Sequence, residues 1–376
     1  MNKNITLILI SLGVLFLLSV VLVIVNQNPS IKKNPGEQGA PSLEVCKTLA
    51  YGGEEAINIV FFSDEKTAER YKDFFLSAEP FTGNSDAFNF YYIDSFVPEC
   101  ELYEDVAIFC HSSELVKKAA SCPNDFLVII ESREPNIRSS SYLNVMSLNE
   151  KTQLSVFLHE FGHAFASLAE EYAPASLSSS SKNCVKKCSD FNGLEEGCYQ
   201  GCSKVDYYRS IEAGVMRTLN SERYGRFNEH LLLDNLEKKT LLPITGRNID
   251  EQRDCSKETY YLLIGTYHEG IMDITNKSIE TGCVGGNGDG GFRYSVKRED
   301  GSSVNDETFN PELIYTDSQK EEVDEITGEV YLSDRPFTLK ISSLPESRFL
   351  EVFDYEEREV LNIAIYDIDA RACRIS

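Results

Sequence analysis

The chain has 376 residues, 42% of them hydrophobic and 26% charged, a globular composition that excludes disordered, collagen-like and coiled-coil classes. Lys and Arg number 36 against 60 Asp and Glu, a formal net charge of -24; such a surface repels a phosphate backbone, so no nucleic-acid partner is expected. The eleven cysteines are an odd number, so at least one lies outside any pairing within the chain.

In chain order, the first segment is apolar from Ile5 to Val25 without a charge. As a helix it is long enough for one hydrocarbon core of about 30 Å. It ends in Asn26, Gln27, Asn28 and Pro29, with no small-x-small cleavage pattern, so it reads as an uncleaved transmembrane helix. Residues 1–33 are thus taken as a membrane anchor with its flanks. Lys3 lies on one side and Lys32 and Lys33 on the other, so charge does not set the orientation. Residues 34–45, with Pro35, Gly36, Gly39 and Pro41, read as a linker.

The body begins near Cys46. Ala56–Phe62 reads as a buried strand, and Ser63-Asp64-Glu65 opens a helical pattern through Phe75. Ala87–Ser95, Asp105–Phe109 and Phe126–Ile130 read as further strands, which gives an α/β layer. Arg138–Leu148 reads as an edge strand plus a loop. Ser147 and Glu150 form a capping box, with Leu154, Phe157 and Leu158 at helical spacing behind it, so a helix is expected from about Leu148 to Ser167.

That helix carries His159-Glu160-Phe161-Gly162-His163. Residues four apart share a helix face, so both imidazoles can reach one ion. Zinc suits such a pair, and Glu160 beside them can take a proton from metal-activated water. A catalytic zinc needs a third protein ligand. On a continued helix Glu170 would lie about 10 Å beyond His163 along the axis. The helix must therefore break, and the chain fold back, for Glu170 to bind; Glu171 is the second candidate.

After Tyr172 the chain turns to loop. Cys184, Cys188, Cys198 and Cys202 then form a C-x3-C, C-x3-C cluster in a stretch with little apolar content. Disulfides are the favoured reading, given the anchor, and place the body outside the cell; a small zinc knot has compatible spacing. Beyond about residue 250, Tyr260–Ile264, Gly291–Val296, Thr338–Ile341, Phe349–Phe353 and Val360–Ile368 read as strands of a smaller all-β, sandwich-like domain. The acidic residues at 321–325 read as a solvated loop, and His111, His230 and His268 as single histidines.

The stretch HEFGHAFASLAEEY at 159–172 resembles the signature of the immunoglobulin-A-peptidase-type zinc metallopeptidases, a branch of the metzincins, in which an H-E-x-x-H helix runs into Asp-Glu-Tyr. The resemblance covers residues 50–235, including AINIVFFSDEKTAERY at 56–71 and FLVIIESREP at 126–135. It implies that His159 and His163 ligate Zn2+, that Glu160 is the general base, and that Glu170 stands at the third-ligand position. It also implies a turn methionine beneath the metal, matched by Met216 in Gly214-Val215-Met216-Arg217. The chain departs from the pattern in Glu170 for Asp, in Ser167 for a common Gly, and in the 184–202 insertion.

The expectation is thus an α/β metzincin-like catalytic domain at 46–250, a β-rich domain at 251–376 and an N-terminal membrane helix. The function expected is zinc-dependent hydrolysis of protein or peptide substrates by a single-pass cell-membrane protein. An extended peptide would pair with an edge strand at 140–146. Two other readings stay open: an anchored binding or adhesion module with a degenerate metal site, and a metallohydrolase acting on a non-peptide bond.

Overall fold

The computed structural model describes residues 45–241, 255–268, 270–316 and 335–365. Its first part follows the apolar runs. In chain order these are β1 (Lys47–Ala50), β2 (Ile57–Phe62), α1 (Glu65–Ser77), β3 (Phe88–Ile93), β4 (Glu101–Tyr103), β5 (Ala107–Phe109), α2 (Ser113–Ala119), β6 (Phe126–Glu131), β7 (Ser140–Tyr142), β8 (Val145–Asn149), α3 (Ser155–Ala166), β9 (Tyr199–Cys202), β10 (Lys204–Arg209) and α4 (Arg226–Leu241). The remainder is β-rich: β11 (Thr259–His268), β12 (Ile271–Thr281), β13 (Phe292–Lys297), β14 (Ser303–Phe309), β15 (Tyr315–Thr316), β16 (Arg335–Ser342), β17 (Phe349–Phe353) and β18 (Glu359–Ala364).

The central sheet has the order β1-β3-β2-β6-β8-β7-β15. Strands β3, β2, β6 and β8 run parallel, with β1 and β7 antiparallel at the flanks. Parallel strands are covered on both faces, which is why FLVII reads as an unbroken apolar run and INIVFF as one interrupted only by Asn58, whose side chain donates to Asp125. Ile57, Ile59 and Phe61 point into one core with α1 and α3, while Val60 and Phe62 point into a second core with α2, as the two-residue strand period requires. Asp64 caps α1 by accepting a hydrogen bond from the Thr67 N–H, which satisfies one of the free donors of its first turn.

Helix α3 is buried from Ser155 to Phe165. Its Phe157, Phe161 and Phe165 recur every four residues and face the sheet. The Phe161 ring centroid lies 4.9 Å from Phe75, 5.4 Å from Phe81 and 5.5 Å from Phe126. Each such ring contributes roughly 1.5–3 kcal/mol by burial alone. The sheet thus holds one side of α3 rigidly, and the side bearing His159 and His163 is left for chemistry.

Several expectations are corrected. Helix α3 begins at Ser155, well after Leu148, because Leu148 and Asn149 pair with Ile130 and Glu131 as part of β8. Ser147 caps no helix; its Oγ accepts from the Cys110 N–H. The expected edge strand and loop at 138–148 is a hairpin, β7–β8, turning at Leu143 with φ +52°. Among the described residues no helix is long and apolar enough to cross a membrane. The longest, α4, has 16 residues and carries Glu229, Asp234, Lys238 and Lys239. The apolar segment at Ile5–Val25 lies outside the described residues. The expected fold class with its transmembrane helix, the membrane as partner and the single-pass cell-membrane location are therefore withdrawn in favour of a mixed α/β body with several sheets.

Beyond residue 255, β12-β11-β16 and β14-β13-β17-β18 form two further sheets. Strand β15 belongs to neither and pairs instead with β7. A shared apolar cluster joins Tyr103, Ala107, Tyr142 and Leu143 to Phe292, Phe309, Ile314 and Leu339. Ten cysteines pair among the described residues: Cys46–Cys122, Cys100–Cys110, Cys184–Cys202, Cys188–Cys198 and Cys255–Cys283. The 184–202 cluster is thus a pair of nested disulfides, which removes the zinc-knot alternative. Cys373 and the acidic run at 321–325 lie outside the described residues.

His111 is buried after β5, with its ring edge-on to Tyr142 at 5.2 Å and no hydrogen-bond partner at either nitrogen. Burial pushes its pKa down to about 4. An unfolded chain takes up that proton below about 6.5 while the folded chain does not, so this group favours folding above pH 6.5 and loses that contribution as pH falls toward 4. The expected loss is about 3 kcal/mol over that window. Urea titrations of wild type and His111→Phe between pH 7 and 4 should diverge by that amount; parallel curves would contradict it.

Candidate metal centre

Helix α3 ends where the site begins. Ser167 takes the left-handed conformation, φ 49° and ψ 34°. Its N–H donates to the His163 carbonyl, and the Leu168 N–H donates to the Gly162 carbonyl. This turn is the break that Glu170 requires, and it brings the chain back beneath His163. A non-glycine residue there carries roughly 1–2 kcal/mol of strain, and the buried Ser167 Oγ has no hydrogen-bond partner. Ser167→Gly removes both, so it should raise stability by about 1 kcal/mol after glycine's added unfolded-state entropy. Chemical denaturation checks this, and a destabilised Ser167→Gly protein would show that the left-handed turn is not strained.

Three side chains converge. His159 Nε2 and His163 Nε2 are 3.1 Å apart. Glu170 Oε1 lies 3.4 Å from the first and 3.3 Å from the second. All three residues are at most 2% exposed, and they form the cluster able to hold a metal ion among the described residues. His159 Nδ1 lies 2.9 Å from the Val215 carbonyl oxygen. His163 Nδ1 lies 2.5 Å from the Leu168 carbonyl oxygen. A carbonyl only accepts, so each Nδ1 carries a proton and each Nε2 faces the centre, offering a lone pair there when its ring is neutral. Two neutral imidazoles and a carboxylate aimed at one point repel one another unless a cation, whether a proton or a metal ion, lies between them. The donor set of two imidazoles and one carboxylate fits a divalent ion.

The electrostatics say the same. Burial opposes charge on each group. Even so, the imidazoles beside Glu170 hold its carboxyl down at about 2. Burial also lowers His159, but the Glu170 and Glu160 carboxylates raise it to about 10. At His163 burial wins and the pKa is lowered. Without a metal the cluster keeps one proton, on His159. A divalent ion must displace it, so metal affinity weakens as pH falls.

Glu160 adjoins His159 on α3 and is 0% exposed. Met216 lies under the helix: a Cβ built on Gly162 would come 2.7 Å from its Sδ and 3.1 Å from a Tyr224 ring carbon. That close approach explains a glycine in mid-helix. The Met216 carbonyl accepts from the Glu171 N–H at 2.8 Å, within a turn closed by Arg217 N–H and Thr218 N–H to the Gly214 carbonyl. Glu171, the second candidate ligand, faces other partners. Its Oε1 accepts from Asn228 Nδ2 at 2.8 Å and Asn183 Nδ2 at 3.4 Å. Burial raises its pKa to about 7 against those donors.

Sequence reasoning missed the residues that hold the ligand loop. Asn183 bonds both the N–H and the carbonyl of Ala169, at 2.7 and 2.8 Å. Ser203 Oγ donates to the Glu170 carbonyl at 2.8 Å. These two residues flank the Cys184–Cys202 disulfide, so the cysteine insertion clamps the loop carrying Glu170. Their adjacency to the outer cysteines was the available signal. Also missed was Tyr315, whose ring stacks on His163 at 4.1 Å and 10°. His230 is exposed on α4 beside Asp234 and takes no part. No family model and no curated protein matches this chain, so the resemblance at 159–172 stands on its own residues, and what the structure establishes is a buried His–His–Glu cluster suited to a metal ion.

Proposed function

We propose that this chain is a zinc-dependent endopeptidase. The observation that carries the reading is the convergence of His159, His163 and Glu170, with Glu160 buried on the same helix beside the first of them. Two imidazoles and a carboxylate are the ligand set of a catalytic zinc that keeps one position open. When bound, such an ion supplies the Lewis acidity that polarises a carbonyl and acidifies water near neutral pH.

The chain's own residues do the rest. The Val215 and Leu168 carbonyls fix the two rings and their tautomers. Glu170 is the third ligand, held by Ser203 and by the Asn183 clamp on its neighbour Ala169. Met216 packs beneath α3 as a floor. Glu160 takes the proton from the attacking water and delivers it to the departing amine. The similarity of 159–172 to the immunoglobulin-A-peptidase-type signature supports a peptide bond as the target. We assign the peptidase machinery to residues 46–250 and a β-rich accessory part to 251–376.

The test is digestion of a peptide library by the zinc-loaded full chain, read by mass spectrometry. Tyr315→Ala is run beside wild type, because that ring covers His163. Cleavage at internal peptide bonds that stops with chelator is expected. A zinc-loaded pair of proteins that both leave the library intact would contradict the reading.

A further inference from the structure

An exposed sheet edge beside a protease site is where an extended peptide adds a strand. Here the antiparallel strand at that edge is β7, and it is already paired. Tyr315 lies opposite Ser141, and Thr316 opposite Ser140, in antiparallel register. The segment leading to them is anchored: Leu313 and Ile314 are buried, Tyr142 Oη donates to the Pro311 carbonyl at 3.4 Å, and Tyr267 Oη donates to Glu312 at 2.8 Å. The Tyr315 ring then lies parallel on the His163 imidazole. With this strand in place the ligand side chains are at most 3% exposed. A catalytic zinc, by contrast, must leave a position for substrate.

We propose that Asn310–Thr316 is a built-in pseudo-substrate: it fills the peptide-binding edge of β7, covers His163 with Tyr315, and keeps the site closed until it is displaced. The proposal rests on the peptidase reading above for the identity of the edge. The fit is main-chain pairing plus one aromatic side chain over a ligand, the two elements an extended peptide would use. Displacement is within reach, because β15 is only two residues long and such a strand has few ladder bonds to lose. Substrates that compete for this edge are extended peptides with an aromatic residue to replace the Tyr315 ring.

The experiment uses the full chain loaded with zinc, as wild type, Tyr315→Ala, Tyr315→Phe and Thr316→Pro. The last disrupts the strand and leaves the ring, and serves if Tyr315→Ala does not fold. The first readout is the rate at which a chelator strips the zinc. Tyr315→Ala and Thr316→Pro should lose it about tenfold faster than wild type, since access scales with the fraction of open molecules. Tyr315→Phe should behave as wild type. The second readout is binding of a labelled peptide Asn-Pro-Glu-Leu-Ile-Tyr-Thr, expected for the two opened variants and not for wild type. Equal stripping rates and equal peptide binding across all four proteins would overturn the proposal, even with the library cleaved. Faster stripping and peptide binding in the opened variants, with no cleavage of any library peptide, would uphold the closed edge and overturn the peptidase reading instead.

Discussion

Replacing Glu160 by glutamine should leave zinc binding intact and lower peptide hydrolysis on the order of a thousandfold. The substitution keeps shape and burial and removes only the ability to take a proton. Glu160 is completely buried beside His159 and lies outside the three converging ligands. Its loss should therefore appear in turnover and spare metal content. The comparison is best made in the Tyr315→Ala background, where the edge is open in both proteins. Zinc stoichiometry and the apparent substrate affinity should match the parent, and turnover alone should fall. A Glu160→Gln protein that cleaves as fast as its parent would remove the general base from the account.

The second large effect is at Glu170. A four-ligand structural zinc binds with about 10–16 kcal/mol. One ligand then accounts for roughly 2.5–4 kcal/mol, and Glu170→Ala should weaken zinc by about a hundredfold to a thousandfold. In the apo protein the Glu170 carboxylate lies 3.4 and 3.3 Å from the two imidazoles, which hold its carboxyl down at about 2 against burial. Removing one partner of a buried pair is destabilising, so apo stability should fall along with metal affinity. Glu171→Gln makes the contrast. Its side chain answers to Asn228 and Asn183, so zinc affinity should stay within about tenfold of wild type, the range of an outer-shell change. Competition titrations against a zinc-binding dye give both numbers. A Glu171→Gln protein that loses zinc while Glu170→Ala keeps it would exchange their roles.

Much of the first part of the fold was legible because burial on both faces leaves no choice of residue. INIVFF and FLVII can only be interior strands, and β2 and β6 fall where those runs predict. The start of the helix carrying the two histidines was not legible. Ser147 and Glu150 satisfy a capping box locally, but pairing of β8 with β6 claims Val145–Asn149 first, and long-range register overrides a local cap. Strands β12 and β14 escaped notice because their outward faces are polar and exposed, which blurs the alternation. Strand β15 is two residues long and carries no periodicity.

At the site, the two converging histidines were legible from spacing alone. Glu170 required a chain reversal, and the residue that makes it, Ser167, is not one that advertises a left-handed turn. The clamp by Asn183 and Ser203 depends on a disulfide pairing that sequence leaves open. The nested connectivity, Cys184 with Cys202 and Cys188 with Cys198, is what brings both residues onto the ligand loop. Tyr207 packs by the outer disulfide between Lys186 and Lys204, and the aromatic ring placed on a ligand is that of Tyr315.

The central claim is that His159, His163 and Glu170 bind one divalent ion. Its most direct test is elemental analysis of the full chain purified without chelator, followed by zinc titration, with His163→Ala as the control. About one zinc per wild-type chain, with loss of that zinc in His163→Ala, is the expected result. A wild-type protein that carries no metal and takes up none on titration would contradict the account at its root.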